Sequence, residues 1–280
     1  MKITCLVADE TLKDRFETEH GLSFYIETSR HRILFDVGQT DLFSRNARRL
    51  GIDLSLVDTV IISHGHYDHG GGLEHFFSIN DRAIIYVNRK AKGAFYSQRK
   101  EGMAYVGLDA AVLDNERIRF LDDDFVIDSE LTVFKELVSD DLFPVANRYL
   151  FERKDNAYIP DRFEHEQNLL ITEDQDSALF AGCGHRGIVN IVDTARKHLK
   201  DRPLKVVFAG FHTANRPGAR TSPKTIDRIA QRLDDGRTLY FTGHCTGDSY
   251  PEFKRRMDSS IRKFYPGTSL QLAGKRMILS

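Results

Sequence analysis

Cysteine is scarce in this chain, with three residues among 280, at positions 5, 183 and 245. So small and odd a number excludes a disulfide framework and favours a reducing compartment, and we therefore expect a cytoplasmic protein. A marked net charge is also missing, because the formal charge is −1 at pH 7. We accordingly expect neither a nucleic-acid partner nor attraction to an anionic membrane.

Long apolar runs are absent as well. None approaches the ~18 residues that a membrane-spanning helix requires, and residues 3–8 are followed by Asp9 and Glu10 too early for a secretory signal peptide. With 41% hydrophobic and 29% charged residues, the composition is that of an ordinary globular protein. The length allows one large α/β domain or two small ones. No linker rich in proline, glycine or serine marks a boundary, and nothing indicates the oligomeric state.

The chain does contain a dense group of histidines. Residues 63–72 read Ser-His-Gly-His-Tyr-Asp-His-Gly-Gly-Gly and follow a β-branched apolar run at 57–62. The group comprises His64, His66, Asp68 and His69. Imidazoles and a carboxylate so close together are costly to bury without a compensating ion. They suit zinc, with iron and manganese as alternatives. We predict a metal centre of one or two ions.

Three later strands each end at a glycine that is followed within three positions by a histidine. The histidines are His185, His212 and His244. Because functional groups gather at the carboxyl ends of strands in α/β folds, we expect these side chains to converge on the first cluster. Asp36, at the end of a strand over 32–36, could hydrogen-bond a ligand histidine or be an ordinary turn aspartate.

Three further histidines are interpreted as structural or surface residues. We expect His20 to be a loop residue, His31 a solvated turn residue, and His75 a residue on a helix face. Basic side chains between 88 and 100 either form a substrate wall that selects an anion or are solvated surface. They are Arg89, Lys90, Lys92, Arg99 and Lys100.

The spacing His64-x-His66-x-Asp68-His69 resembles the signature of the metallo-β-lactamase fold superfamily. Residues 182–192, 210–212 and 242–247 are similar to a branch of metal-dependent hydrolases that includes dihydropterin ribofuranosylaminobenzene 5′-phosphate synthases. The likeness extends from the first hairpin to His244. It implies a four-layer αββα sandwich and a single domain over 1–280. The irregular segment around 88–160 would be a substrate-facing insertion, because long excursions from a compact scaffold tend to carry specificity.

The resemblance also implies a ligand set. His64, His66 and a third histidine would hold one metal, and the other would be held by Asp68, His69 and His244. On the superfamily pattern Cys183 falls at the bridging position and His165 or a neighbouring glutamate at the earlier ligand position. We favour His185 as the third histidine, because it lies in a Gly-rich turn. Cys183 could bind as a thiolate or be a small buried residue, and His212 could be a proton donor, a substitute ligand or a structural residue.

These residues predict metal-assisted hydrolysis of a phosphoester or a related small anionic molecule. Zn²⁺ lowers the pKa of bound water to about 7, Asp68 would orient the nucleophile and accept its proton, and His212 would protonate the leaving group. Backbone N–H groups beside His185 could hold an oxyanion. The alternatives are a phosphoribosyl or pterin-type synthase on the same centre, a non-catalytic metal sensor, and an iron redox site.

Overall fold

Two large β-sheets packed face to face form the centre of the fold. The computed structural model describes residues 1–274 and 276–280. Within them the strands, numbered in chain order, are β1 (Lys2–Val7), β2 (Ser23–Glu27), β3 (Arg32–Phe35), β4 (Thr59–Ile62), β5 (Ile84–Asn88), β6 (Phe95–Arg99), β7 (Gly102–Tyr105), β8 (Ile118–Leu121), β9 (Phe125–Val126), β10 (Leu131–Phe134), β11 (Leu150–Lys154), β12 (Ala157–Pro160), β13 (Asn168–Glu173), β14 (Asp176–Ala181), β15 (Val206–Ala209), β16 (Leu239–Thr242), β17 (Ile261–Lys263), β18 (Ser269–Ala273) and β19 (Arg276–Leu279).

The helices lie on the outer faces of the sheets. In the described residues the α-helices are α1 (Leu42–Arg49), α2 (Tyr67–Gly70), α3 (Leu73–Ile79), α4 (Ile188–Leu199), α5 (Pro223–Leu233) and α6 (Tyr250–Met257). Helix α5 begins as the sequence predicts, because the Ser222 side chain accepts a hydrogen bond from the N–H of Thr225 and Pro223 occupies the first turn. No helix in this part of the chain is both long and apolar enough to cross a membrane.

The sheets combine antiparallel hairpins with parallel strands. The first has the order β19-β18-β1-β2-β3-β4-β5-β8, and the second has the order β17-β16-β15-β14-β13-β10-β9. Strands β14, β15, β16 and β17 are parallel neighbours. Their carboxyl ends therefore meet at one edge. A third sheet, β12-β11-β6-β7, has four strands.

Side chains that alternate along the strands build the layers. Phe35 and Ile61 face the second sheet, whereas Leu34 and Val60 face the outer helices α1 and α3. This is the two-residue period of a strand that is buried on both faces. Between the sheets the stacked ring of Phe208 lies 5.3 Å from that of Phe180 and 4.7 Å from that of Phe241. The prediction of an αββα sandwich is confirmed.

The segment 88–160 does not form one excursion from this sandwich. Strand β8 joins the first sheet and β10 the second, and only β6, β7, β11 and β12 form the separate small sheet. The sequence pattern could not separate these strands, because short alternating runs do not reveal their pairing partners. The assignment of residues 1–280 to one domain and of the protein to the cytoplasm stays a prediction.

Candidate metal centre

The chain between β4 and α2 carries the first group of candidate ligands. His66 is still extended, with φ −98° and ψ 146°, so His64 and His66 lie on the same side. Nε2 of His64 is 3.0 Å from Nδ1 of His66. Helix α2 then turns the chain and carries Asp68 and His69 into the buried interior. The two halves of the motif therefore point at neighbouring positions.

The ends of β14, β15 and β16 bring in the distant histidines. The ring of His185 lies 4.9 Å from that of His64, and the ring of His244 lies 5.1 Å from that of His69. His212 lies 4.1 Å from His185. His212 and His244 have positive φ angles of 48° and 47°, which is costly for non-glycine residues and typical of functional turns. The structure thus collects the seven predicted residues, His212 included, from four strand ends.

Asp36 orients two of the histidines. It is fully buried, and its Oδ2 accepts hydrogen bonds from Nδ1 of His69 at 2.6 Å and from the Ser63 hydroxyl at 2.7 Å. Because the Ser63 proton goes to Asp36, the Ser63 oxygen accepts from Nδ1 of His64 at 2.9 Å. The Nε2 atoms of both imidazoles therefore point away from these partners and toward the cluster. The sequence indicated this role for Asp36 but not the relay through Ser63.

Two further residues orient the other candidate ligands. Asp9 accepts from Nδ1 of His244 at 2.6 Å, and Asn147 Oδ1 accepts from Nδ1 of His185 at 3.1 Å. The Asn147 amide nitrogen donates to the His185 carbonyl at 2.7 Å, which fixes its oxygen toward the ring. Sequence reasoning missed both. Asp9, like Asp36, follows the end of a strand, and that placement could have identified it. Asn147 carries no such signal.

Cys183 lies between the two groups of nitrogens. Its Sγ is 3.2 Å from Nε2 of His69. One ligand atom each from His64, Cys183 and His185 lie within 4.8 Å of one another, and the same holds for His69, Cys183 and His244. The turn can approach this closely because residue 182 is glycine, where a Cβ would lie 2.2 Å from the Ser63 hydroxyl oxygen. Cys183 could therefore contribute to either metal position.

His165 has no free ring nitrogen for a metal. Its Nδ1 accepts from the N–H of Gly65 at 3.0 Å, and its Nε2 donates to Asp161 at 3.0 Å. It therefore stabilises the backbone of the first histidine loop at Gly65. His185, in contrast, has an Nε2 that finds no hydrogen-bond partner among the described residues. The geometry thus favours His185 over His165 as the third imidazole.

The expectation of an oxyanion site beside His185 is wrong. The buried carboxylate of Glu166 accepts from the N–H of His185 at 2.7 Å and from that of Arg186 at 2.9 Å. These backbone donors are therefore already occupied. Burial raises the pKa of Glu166, against the lowering effect of the two N–H groups. Its role is to hold the Gly-rich turn.

Burial keeps one group of imidazoles neutral. It lowers the pKa of His64 and His185 far below their ordinary value and that of His66 to about 3, with neighbouring histidines adding to the effect. Neutral imidazoles are the form that binds a metal. Burial likewise raises the pKa of the Cys183 thiol, so only a bound cation would make it a thiolate in this site.

In the second group, His69 and His244, nearby carboxylates determine the direction of the pKa shift. Burial opposes the charged forms of His69 and His244, but Asp36 and Asp68 outweigh it at His69, and Asp68 and Asp9 outweigh it at His244. Both pKa values are therefore raised. Burial also opposes ionisation of Asp68, yet the surrounding histidines hold its pKa well below the ordinary range. Oδ2 of Asp68 lies 3.3 Å from Nε2 of His244 and 3.5 Å from Nε2 of His69.

Two other histidines differ from expectation. His20 is half exposed and reaches the centre, with Nδ1 2.8 Å from Asp9 and Nε2 3.4 Å from Asp68. His31 is not solvated but lies between two carboxylates, those of Asp58 and Asp128. Of these three histidines, His75 alone has the predicted role. It lies on a helix face, where its Nε2 forms a hydrogen bond with the Ser44 hydroxyl. Sequence reasoning missed His20 because its loop has no strand or glycine signal.

A cavity of about 340 Å³ opens above the centre, and Arg99 and Arg216 line it. The other basic residues of the expected substrate wall lie elsewhere. Arg89 and Lys90 line a separate cavity of about 890 Å³ and are paired with Asp122 and Glu164. The larger cavity contains His165, whose nitrogens are engaged, so we assign the chemistry to the smaller one.

The donor set fits a transition-metal ion. Buried ring nitrogens of four histidines make no hydrogen bond within the described residues, and these histidines are His66, His185, His212 and His244. Unpaired buried polar atoms are rare in native proteins. Imidazole, carboxylate and thiol groups together match the preferences of zinc and also suit iron. The αββα fold and this cluster define a metal-binding α/β protein.

The comparison with known families places this protein more narrowly. The family model described as the metallo-beta-lactamase superfamily matches residues 17–244, and the chain belongs to that superfamily. The fold is similar to the crystal structure of Tm1679, a metal-dependent hydrolase of the beta-lactamase superfamily. That similarity has a TM-score of 0.83 and 30% identity, and it covers 98% of this chain and 99% of the other.

Two curated relatives come from Methanocaldococcus jannaschii. The uncharacterized protein MJ0448 is 28% identical over 249 residues, which cover 86% of this chain and 90% of the relative. A 7,8-dihydropterin-6-methyl-4-(beta-D-ribofuranosyl)-aminobenzene-5'-phosphate synthase is 27% identical over 256 residues, which cover 83% of this chain and 82% of the relative. The superfamily consists largely of hydrolases, and one relative of this chain is a synthase.

Proposed function

We propose that the protein is a metal-dependent hydrolase that cleaves a phosphoester or a related small anionic molecule. One observation carries the proposal. His69, His185 and His244 are each oriented by a hydrogen bond at Nδ1, to Asp36, Asn147 and Asp9 respectively, so that the other ring nitrogen faces the cluster. Such paired support is typical of metal ligands.

Two groups of residues would hold the ions. His64, His66 and His185 would bind one ion and Asp68, His69 and His244 the other, with Cys183 between them. A bound cation of the zinc type lowers the pKa of a water molecule to about 7, so that a nucleophile forms at neutral pH. Two positions so close together suit two ions, and zinc fits the mixed ligands, with iron and manganese as alternatives.

The chain's own side chains would move the protons. Asp68 is held ionised by the surrounding histidines, so its carboxylate can orient the attacking water and accept its proton. His212 is buried, and neither of its ring nitrogens has a hydrogen-bond partner among the described residues. It lines the cavity and can donate a proton to the leaving group.

A synthase that transfers a group to an amine is the second candidate. It is favoured by the 27% identical relative that bears a synthase name. The same residues would then activate an acceptor other than water. Product analysis with and without an added aromatic amine separates the two reactions. Transfer to water alone in both conditions would exclude the synthase.

The first test combines metal analysis with an activity screen. Protein purified without added metal is expected to contain more than one transition-metal ion per chain and to hydrolyse bis(p-nitrophenyl) phosphate or a related ester, with loss of activity after chelation. His64→Ala and His244→Ala should each lower metal content and activity. His75→Ala, a histidine outside the cluster, is the matched control. Full metal content in both cluster variants would refute the assignment.

A further inference from the structure

Two arginines line the cavity of the candidate centre, and neither has an ionic partner. Within the described residues no carboxylate oxygen lies within 4 Å of the guanidinium of Arg99 or Arg216, whereas Arg89 is paired with Asp122. Other arginines of the described residues do have a carboxylate partner, as Arg228 has in Asp141. Unpaired arginines beside a cavity are suited to bind an anion.

Arg216 is the first residue of a hydrogen-bonded turn that fixes its backbone. Residues 216–219 form a hydrogen-bonded turn, with Arg216 N–H donating to Ala219 O at 3.2 Å and the reverse bond at 2.9 Å. Gly218 supplies the positive φ of 77° that follows proline in a type II turn. The Tyr149 hydroxyl donates to Pro217 O at 2.5 Å. The guanidinium is thus attached to a backbone fixed on both sides.

The neighbouring residues also tie this loop to the fold. The Asp248 carboxylate accepts from the N–H and the side-chain amide of Asn215, both at 2.9 Å. Nη1 of Arg216 lies 3.4 Å from the Ser97 hydroxyl, which places the guanidinium against strand β6. Little additional ordering is therefore required when an anion binds.

Arg99 reaches the same cavity from β6. Side chains two apart share a face of a strand, so Phe95, Ser97 and Arg99 lie on one face. Phe95 contacts the first histidine loop, with its ring 5.9 Å from that of His66, and Ser97 and Arg99 line the cavity. The small sheet therefore extends from the candidate metal ligands to a positive charge at its end.

We propose that Arg99 and Arg216 form a second anion subsite, which binds a phosphate group of the substrate other than the group that is cleaved. This inference rests on the proposed hydrolytic function. Cations held by the centre would neutralise the charge of the reacting group, so two further unpaired guanidiniums indicate a second anionic group. The substrate class is accordingly a small diester or anhydride with an additional phosphate, of a size that fits about 340 Å³.

Kinetics with a matched pair of substrates test the subsite. Glyceryl p-nitrophenyl phosphate and the same diester phosphorylated on the distal glycerol hydroxyl release the same leaving group. For the phosphorylated diester, Arg99→Ala and Arg216→Ala should raise KM roughly ten- to hundredfold with little change in kcat. KM for the simple diester should stay nearly constant. Arg216→Lys should recover part of the loss, and Arg89→Ala should behave as wild type.

A binding measurement separates this subsite from the proposed function. Inorganic pyrophosphate titrated calorimetrically into the protein as purified should bind roughly tenfold or more weakly to the arginine variants than to Arg89→Ala. This result would support the subsite even if no diester were hydrolysed. Equal pyrophosphate affinity in all variants, or an equal rise in KM for both diesters, would overturn it while leaving the hydrolase assignment intact.

Discussion

The sulfur of Cys183 lies 3.2 Å from Nε2 of His69, although the two residues are 114 positions apart in the chain. Strand β14 delivers the cysteine and the loop after β4 delivers the histidine. Both are buried. The same sulfur belongs to the group formed with His64 and His185, so one side chain faces both candidate metal positions.

Substitution of Cys183 should therefore change the metal content. In Cys183→Ala we expect loss of one of two ions, or an affinity loss larger than the roughly 10–100-fold caused by removing an outer partner. Cobalt-substituted protein should also lose its sulfur-to-metal absorption. Cys5→Ala is the matched control, because Cys5 is equally buried and its thiol donates to Val7 O. Unchanged stoichiometry and spectrum in Cys183→Ala would contradict a ligand role.

Asp36→Asn should weaken metal binding without unfolding the protein. Asn tolerates the positive φ of 58° at this position. Its amide nitrogen cannot accept the proton of His69, so that ring would shift its proton to the nitrogen facing the cluster. We expect a roughly 10–100-fold loss of metal affinity, measured by competition with a chromophoric chelator. Ser63→Ala, which removes the acceptor of His64 but leaves the bond between Asp36 and His69, should lose less. A larger loss in Ser63→Ala would contradict the relay.

His165 and His185 should respond differently to substitution. His185→Ala should lower metal content, because its free Nε2 faces the cluster. His165→Ala should keep the metal but destabilise the fold by about 1–3 kcal/mol, because the buried N–H of Gly65 loses its acceptor. Elemental analysis and urea unfolding of both variants provide the comparison. The reverse pattern would identify His165 as the ligand.

His31 should make stability depend on pH. Burial lowers its pKa, but Asp128 and Asp58 outweigh this effect, and the pKa is raised above its ordinary value. The stabilisation is therefore complete below the ordinary pKa of about 6.5 and is lost as the pH rises through the higher pKa of the folded state. Arg30 also pairs with Asp128 but stays charged throughout.

Urea unfolding of wild type and His31→Gln measures this effect. The wild type should exceed the variant in free energy of unfolding at pH 5.5 by up to about 1 kcal/mol, and the difference should shrink by pH 9. A difference that is constant from pH 5.5 to pH 9 would show that His31 contributes by packing alone.

Much of the fold and the centre of the site can be read from local sequence. Alternation of apolar residues identifies buried strands such as β3 and β14, because a strand's side chains point to opposite faces in turn. The ligand types at His64, His66, Asp68 and His69 follow from their density after a strand. The histidines at the ends of β14, β15 and β16 are recognisable because parallel neighbouring strands end at one edge.

Only the tertiary structure decides which groups meet. The Gly-rich turn favours His185 over His165 in the sequence, but only the folded chain shows that Nε2 of His185 has no hydrogen-bond partner among the described residues. Nothing local identifies Ser63 or Asn147 as an orienting partner, or shows which histidine Asp9 contacts. The Asp9 contact with His244, for example, joins residues 235 positions apart. The sequence by itself determines which chemical groups are available, because secondary structure and ligand type depend on neighbouring residues. Their free nitrogens, their partners and the shared sulfur depend on sheet register and packing, which arise only when distant segments come together.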